Sequence, residues 1–162
     1  MNIQNYFSRL IPTISADAHC DIPCGVYDPT PAKIAARTVC RMVQQMHEIQ
    51  PPAGMDAHAI TGHANMIARR IAVKEAHAEI CKRELLILWS DFFKNEHLEQ
   101  FPNLHTLVWD AVKLCSKNKQ EVDEEAANRL VVAVDEIAKI FYAAKKVPER
   151  YEAYQAITDK LY

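Results

Sequence analysis

The sequence of 162 residues predicts an all-α fold, an up-down-up-down four-helix bundle preceded by a non-helical N-terminal hook. Three observations support this prediction. Apolar residues recur at helical spacing in four stretches, short proline-rich or polar links separate these stretches, and no stretch alternates apolar and polar residues as a strand does. Helices joined by short links pack as antiparallel neighbours, which is the topology of a bundle.

The first helix is predicted from Pro31 to about Gln50, with Thr30 as its cap and proline at its first position. The second begins after Asp56, another cap, and runs roughly 40 residues to about Asn95, a length that suits one long helix or two with a kink. The apolar positions of the two helices include Ile34, Val39, Met42, Val43, Met46, Ile67, Ile71, Ile80, Leu85, Leu86, Leu88 and Trp89.

A connector at 97–102 leads to the third helix, which Asn103 caps and which ends near Ser116. The polar residues 116–120 are predicted to form a loop before the fourth helix, which runs from about Asp123 to Lys146. Its core positions and those of the third helix include Leu104, Leu107, Val108, Trp109, Ala111, Leu114, Leu130, Val134, Ile137, Ile140, Phe141 and Tyr142. The bundle is thus assigned to residues 31–146, and the C-terminal extension 147–162 is predicted to hold a short helix that docks on the bundle or on a neighbouring subunit.

Composition narrows the range of partners. The formal net charge of −2 gives no bulk positive field, so no nucleic acid is expected, and no apolar run approaches the roughly 18 residues of a membrane span. Five cysteines are an odd number, which argues against a disulfide framework and favours a reducing cytoplasm. Cys40, Cys81 and Cys115 are predicted to be small buried hydrophobes.

Residues 1–18 are interpreted as a removable pro-segment that is trimmed in the cytoplasm. Their Ala-Asp-Ala ending at 16–18 resembles a signal-peptidase site, but the apolar part at 10–14 is short and is broken by Pro12. Whether the segment also directs export stays open. Removal would make His19 the first residue.

The hook, residues 19–30, holds the densest group of potential metal ligands: His19, Cys20 and Cys24. Thiolates with imidazole favour a borderline or soft transition metal. The spacing is unlike a zinc finger, which needs a second distant ligand pair, and unlike the Cys-x-x-Cys of thioredoxin-type redox proteins. In a chain that begins at His19, the free amine, the next amide nitrogen and both sulfurs form a planar N2S2 set that suits Ni(II) or Cu(II), and the imidazole can reach an axial position.

The stretch 19–29, His-Cys-Asp-Ile-Pro-Cys-Gly-Val-Tyr-Asp-Pro, resembles the nickel hook of the nickel superoxide dismutase family. The patterns at 88–94, at His97 and at 102–108 are similar to that family as well. The resemblance implies a superoxide dismutase that converts superoxide to dioxygen and hydrogen peroxide as one nickel ion per subunit cycles between Ni(II) and Ni(III). It also implies a homohexamer, and a maturation protease that exposes the amine of His19.

By the same resemblance, His19, Cys20 and Cys24 are the metal ligands. Tyr27 would stand beside the open axial face and gate small anions, and Asp21 would order the hook. The sequence departs from the family where a glutamate and an arginine are common, at Ala35 and His77. The support of the His19 imidazole is therefore left open between His77 and another subunit.

Two other functions are weighed against the enzyme. One is a nickel or copper carrier that uses the same amino-terminal chelate. The other is a helical interaction protein with a disordered arm, which would keep its function without Cys20 and Cys24.

Overall fold

The computed structural model describes residues 25–158, and every regular element in that range is helical. The pro-segment and the first part of the hook, through Cys24, lie outside the described residues. The α-helices are α1 Thr30–Glu48, α2 Ala57–Ile87, α3 Asn95–Gln100, α4 Leu104–Gln120, α5 Glu124–Ala144 and α6 Arg150–Ala156. A π-helical turn, Leu88–Phe92, continues α2.

The four long helices form the predicted bundle. Helix α1 packs against α2 and α5, and α4 packs against the same two helices from the opposite side. Neighbours run antiparallel, since the partner on α5 moves from Asp135 back to Asn128 as α1 advances from Lys33 to Cys40. The fold class expected from the sequence is therefore confirmed. No helix in the described range has the length and apolar character needed to cross a bilayer.

Small residues and aliphatic residues fill the core between these helices. Alanines are buried on all four long helices, which allows the helix backbones to approach closely. The predicted burial of Cys40, Cys81 and Cys115 is confirmed, since each is at most 2% exposed. Trp109, predicted to lie in the core, is instead 57% exposed, because its neighbour Val108 occupies the inward position on α4.

Of the three predicted helix caps, only Asp56 is confirmed. Its carboxylate accepts hydrogen bonds from the backbone of His58 and Ala59. Asn103 lies at the start of α4 but its side chain makes no capping bond, whereas Asp123, for which the sequence predicts no capping role, accepts a bond from Ala126. Thr30 is not a cap but the first helical residue. Its N–H donates to Oδ1 of Asp28 at 2.9 Å, so the capping role belongs to a residue two positions earlier.

The segment 116–120 forms the last turn of α4 rather than the predicted loop. Lys74 on α2 explains why, because its buried ammonium donates to the backbone carbonyls of Asn118, Lys119 and Glu121. These carbonyls end a helix and have no partner within it, and a cation at a helix C-terminus is favourable. The predicted connector 97–102 is likewise partly helical, since α3 extends to Gln100.

The turn after α5 sends the chain back toward the bundle. Lys146 adopts φ +60°, while the N–H groups of Lys146 and Val147 donate to the carbonyls of Ala143 and Tyr142. This is the Schellman arrangement that ends many helices, with a lysine at the position where glycine is usual. It places the short helix α6 against α5.

We expect Lys74→Met to lower the free energy of unfolding by about 2 kcal/mol, because buried carbonyls at the end of α4 lose their donor. Urea unfolding followed by circular dichroism would measure the loss. Lys82→Met is the matched control on the same helix, since that lysine is only partly buried and donates one bond, to Ser116 at 3.3 Å. Equal losses in the two variants would contradict the role given to Lys74.

Candidate metal centre

Among the predicted site residues, Tyr27 lies within the described range, whereas His19, Cys20, Asp21 and Cys24 lie outside it. The structure therefore describes the base of the hook, residues 25–29, here called the stem. The stem leads directly into α1. Its first residue, Gly25, has φ +70°, a conformation that side chains disfavour, although a Cβ there would meet no atom within 4 Å. Glycine is thus required by backbone geometry and not by space.

Tyr27 is held against the end of the bundle. Its ring lies 6.0 Å from the ring of Phe92, measured between centroids, and its carbonyl accepts a hydrogen bond from Lys145 at 3.3 Å. Phe92 belongs to the π-helical turn and packs in turn on Phe141 of α5, at 4.4 Å between centroids. The half-buried Tyr27 is therefore positioned both by the π-helical turn and by Lys145, the residue that follows α5.

Asp28 joins the stem to the end of α5. Its Oδ2 accepts a hydrogen bond from the hydroxyl of Tyr142 at 3.2 Å, while its Oδ1 accepts the N–H of Thr30. Burial, reinforced by the negative charge of Asp28, raises the pKa of Tyr142 to about 12. The phenol therefore keeps its proton, and donates it to Asp28, throughout the neutral and mildly alkaline range.

A pocket of about 380 Å³ opens where the stem meets the π-helical turn and α3. The stem contributes Gly25 and Tyr27, the turn contributes Phe92, and the segment entering α3 contributes Lys94 and His97. π-helical turns are uncommon and occur often at functional sites. The pocket thus adjoins the residue that directly follows the predicted ligand Cys24.

His97 is fixed within this pocket. Its ring stacks on Phe92 at 5.5 Å between centroids, and its Nδ1 accepts the N–H of Lys94 at 3.1 Å. In the neutral imidazole, the hydrogen is therefore assigned to Nε2. The sequence singled out His97 as part of the resemblance but did not indicate this position beside the stem.

A smaller pocket, of about 190 Å³, lies on the α2 side of the stem. The stem residues Val26, Tyr27 and Asp28 line it together with Glu84 of α2. Glu84 is a half-buried carboxylate and was not among the site residues predicted from the sequence. No sequence pattern could have indicated it, because the contact joins residues far apart along the chain.

The two positions that depart from the family have different surroundings. Ala35 is buried in the core at 2% exposure. His77 lies on α2, half-buried, and its Nδ1 is 2.9 Å from the carbonyl of Val73 on the same helix. Support of the His19 imidazole by His77 stays a prediction. Within residues 25–158, no three His, Cys, Asp or Glu side chains converge on a possible cation site.

Tyr142 gives the stem a pH dependence with a definite sign. A tyrosine in the unfolded chain has a pKa near 10, so as pH rises the unfolded chain loses this proton before the folded chain does. The stability that the protonated Tyr142 gives the folded chain is therefore lost between pH 10 and about 12. Over this pH range, the free energy of unfolding of the unsubstituted chain should fall further than that of Tyr142→Phe, which has no hydroxyl to titrate. We expect the difference between the two decreases to be on the order of 1 kcal/mol. Urea unfolding at several pH values would measure the difference, and parallel curves would contradict it.

Comparisons with known proteins point to one family. The family model for nickel-containing superoxide dismutase matches residues 14–145. A nickel superoxide dismutase of Streptomyces seoulensis is 40% identical over 140 residues, which is 86% of this chain and 98% of the relative. The one from Streptomyces coelicolor is 38% identical over the same share of each chain.

Solved structures give the same result. A native nickel superoxide dismutase structure is 37% identical and superposes with a TM-score of 0.66, covering 79% of this chain and 99% of that one. A structure with nickel ligation in the oxidised state is 40% identical, with the same TM-score and coverage. From the match of the family model and the identity to these relatives, the chain belongs to the nickel-containing superoxide dismutase family.

Proposed function

We propose that the catalytically active form of this chain begins at His19 and holds nickel through His19, Cys20 and Cys24. Membership of the family makes the protein a nickel-dependent superoxide dismutase, an oxidoreductase that converts two superoxide ions and two protons to dioxygen and hydrogen peroxide. The single observation that carries the assignment of the site is the ligand-dense stretch 19–24, which falls inside the matched range 14–145 and directly precedes the docked stem.

The donor set fits nickel on chemical grounds. Two thiolates and two backbone nitrogens would give a donor set that suits Ni(II), and oxygen-preferring metals such as Mg²⁺ would not select it. When bound, nickel would supply the one-electron redox chemistry of the reaction, because thiolate donors bring the trivalent state within reach. The chain supplies the ligands through His19, Cys20 and Cys24, and Asp21 is proposed to order the hook around them.

Tyr27 is proposed to admit and orient small anions at the open face of the site. Its ring is fixed by Phe92 and its backbone by Lys145, so its position does not depend on the metal. A carrier would need the ligands but no positioned phenol and no adjoining pocket. The rigid placement of Tyr27 beside the 380 Å³ pocket therefore supports the enzyme over the carrier.

Assembly is proposed to be a homohexamer. Exposed apolar side chains recur along α2, where they leave an apolar surface: Ile60, Met66, Val73, Ile80 and Leu86. No residue of α2 before Lys74 is buried within the single chain. An unpartnered surface of this kind is typical of a protein interface, and it supports burial by other copies of the chain.

Maturation and location are proposed from the N-terminal sequence and the cysteines. A protease would cut between Ala18 and His19, since only a free amine at His19 could join the two sulfurs and the amide nitrogen as a nickel ligand. The three cysteines in the described range are buried and form no disulfide bonds: Cys40, Cys81 and Cys115. This supports a reducing compartment, and the cytoplasm is the proposed one.

A chain that begins at His19 and is reconstituted with nickel should remove superoxide, whereas the untrimmed chain should bind nickel more than about 100-fold more weakly and stay inactive. The reason is that the peptide bond to Ala18 removes the amine ligand. Superoxide decay measured by stopped flow and nickel content measured by atomic absorption would test both forms.

Two cysteine variants of the trimmed chain serve as matched controls. Cys20→Ser should lose nickel and activity, and Cys40→Ala should keep both, because Cys40 lies buried on α1. Full activity of the untrimmed chain, or of Cys20→Ser, would contradict the proposed ligand set.

Tyr27→Phe should retain one nickel per chain while its turnover falls about tenfold, because the ring still packs on Phe92 but the hydroxyl that orients the anion is gone. Turnover and nickel content measured on the same sample would separate the two effects. If nickel were lost together with activity, Tyr27 would be a residue that holds the hook and not one that acts on the substrate.

A further inference from the structure

The short helix α6 is anchored to the bundle by one buried tyrosine. Tyr154 is 1% exposed, and its hydroxyl donates to Oδ1 of Asp135 on α5 at 2.9 Å. The buried ammonium of Lys33 on α1 bonds the same oxygen at 3.0 Å and lies 4.3 Å from the centroid of the Tyr154 ring. Three helices therefore meet at a single carboxylate oxygen.

The same tyrosine packs behind the contact that holds the stem. The ring of Tyr154 lies 5.8 Å from that of Tyr142 in an edge-to-face arrangement, and the hydroxyl of Tyr142 donates to Asp28. The chain of contacts thus runs from α6 through Tyr142 to Asp28, four residues after Cys24.

This helix lies beyond the part of the chain that the family model matches, which ends at residue 145. The bundle and the hook are explained by the family, but α6 is not. The function of α6 must therefore be inferred from its own contacts, and its buried tyrosine packs behind the contact that holds the stem.

We propose that α6 braces the stem, and that Tyr154 is a positioning residue that raises the nickel affinity of the hook by acting through Tyr142 and Asp28. This proposal rests on the function proposed above. Ordering a short loop when a metal binds costs conformational free energy, so a stem that is already ordered leaves more of the binding free energy as affinity. Without Tyr154, the ring of Tyr142 keeps its contact with Phe141 but loses the ring that packs behind it, so its hydroxyl holds Asp28 less firmly.

The first test needs no metal. In the metal-free trimmed chain, Tyr154→Ala should speed hydrogen exchange at the amide of Thr30, which bonds Asp28, by about tenfold. Core amides such as that of Val134 should stay protected to the same degree, which would show that the bundle itself is intact. Unchanged exchange at Thr30 would overturn the proposal.

The second test measures nickel affinity by competition with a chelator under anaerobic, reducing conditions. Tyr154→Ala and Tyr142→Phe should each weaken binding about tenfold, and the double variant should be no weaker than the Tyr154→Ala single variant, because both substitutions break the same chain of contacts. Losses that simply multiply would overturn the proposal, since α6 would then not act through Tyr142.

Two hydroxyl deletions on α6 provide matched controls. Tyr154→Phe keeps the ring against Tyr142 and should bind nickel within about twofold of the unsubstituted chain. Tyr151→Phe removes an exposed hydroxyl that accepts a bond from Gln155 and should change neither readout. A loss in Tyr151→Phe as large as that in Tyr154→Ala would overturn the proposal.

The two proposals fail in different ways. A trimmed chain that binds nickel but does not remove superoxide would refute the enzyme assignment and leave the affinity test of α6 intact. If superoxide removal were normal and all α6 variants bound nickel equally well, only the proposal that α6 supports the stem would be refuted.

Discussion

Asp28 uses both oxygens of its carboxylate to join the beginning of the bundle to its end. One oxygen accepts a hydrogen bond from the first amide of α1. The other accepts a hydrogen bond from the hydroxyl of Tyr142, near the end of α5 and 114 residues away. The path of the stem depends on this junction, because Val26 and Gly25, the stem residues nearest Cys24 in the chain, are exposed. Tyr27 and the adjoining pocket lie directly beside this junction, and Tyr154 of α6 packs on Tyr142 behind it.

The carboxylate of Asp135 has a comparable role inside the molecule. Burying the ammonium of Lys33 would be costly without a partner, and here the charge is matched by Asp135 and covered by the ring of Tyr154. Burial and the charge of Asp135 raise the pKa of Tyr154 far above its ordinary range, so its hydroxyl remains a donor. The buried contacts of Lys33, Asp135 and Tyr154 contribute little net stability. Their main effect is to fix the position of α6 on the bundle.

Local signals in the sequence were sufficient for much of the fold. Asp56 is recognisable as a cap because it acts within three residues of itself, and the hook stands out because its predicted ligands lie close together in the chain. Errors arose where distant residues decide the outcome. Residues 116–120 are helical because Lys74, on another helix, donates to the carbonyls of Asn118 and Lys119 within this segment. Helical periodicity also does not distinguish the inward position of Val108 from the outward position of Trp109. No sequence pattern predicts that Glu84 lies beside the stem or that Tyr142 bonds Asp28.

Helix α2 has no buried residue before Lys74, although it begins at Ala57. In a single chain, the first half of this helix contributes only half-buried residues such as Ile71 to the core, so local opening there costs less free energy than opening of the rest of the bundle. If the proposed homohexamer covers the exposed apolar residues of α2, the free energy of this opening would rise with subunit concentration, and dilution would favour a frayed start of the helix. Under that proposal, folding of this segment is linked to assembly, and the amount of ordered bundle that supports the metal centre would vary with subunit concentration.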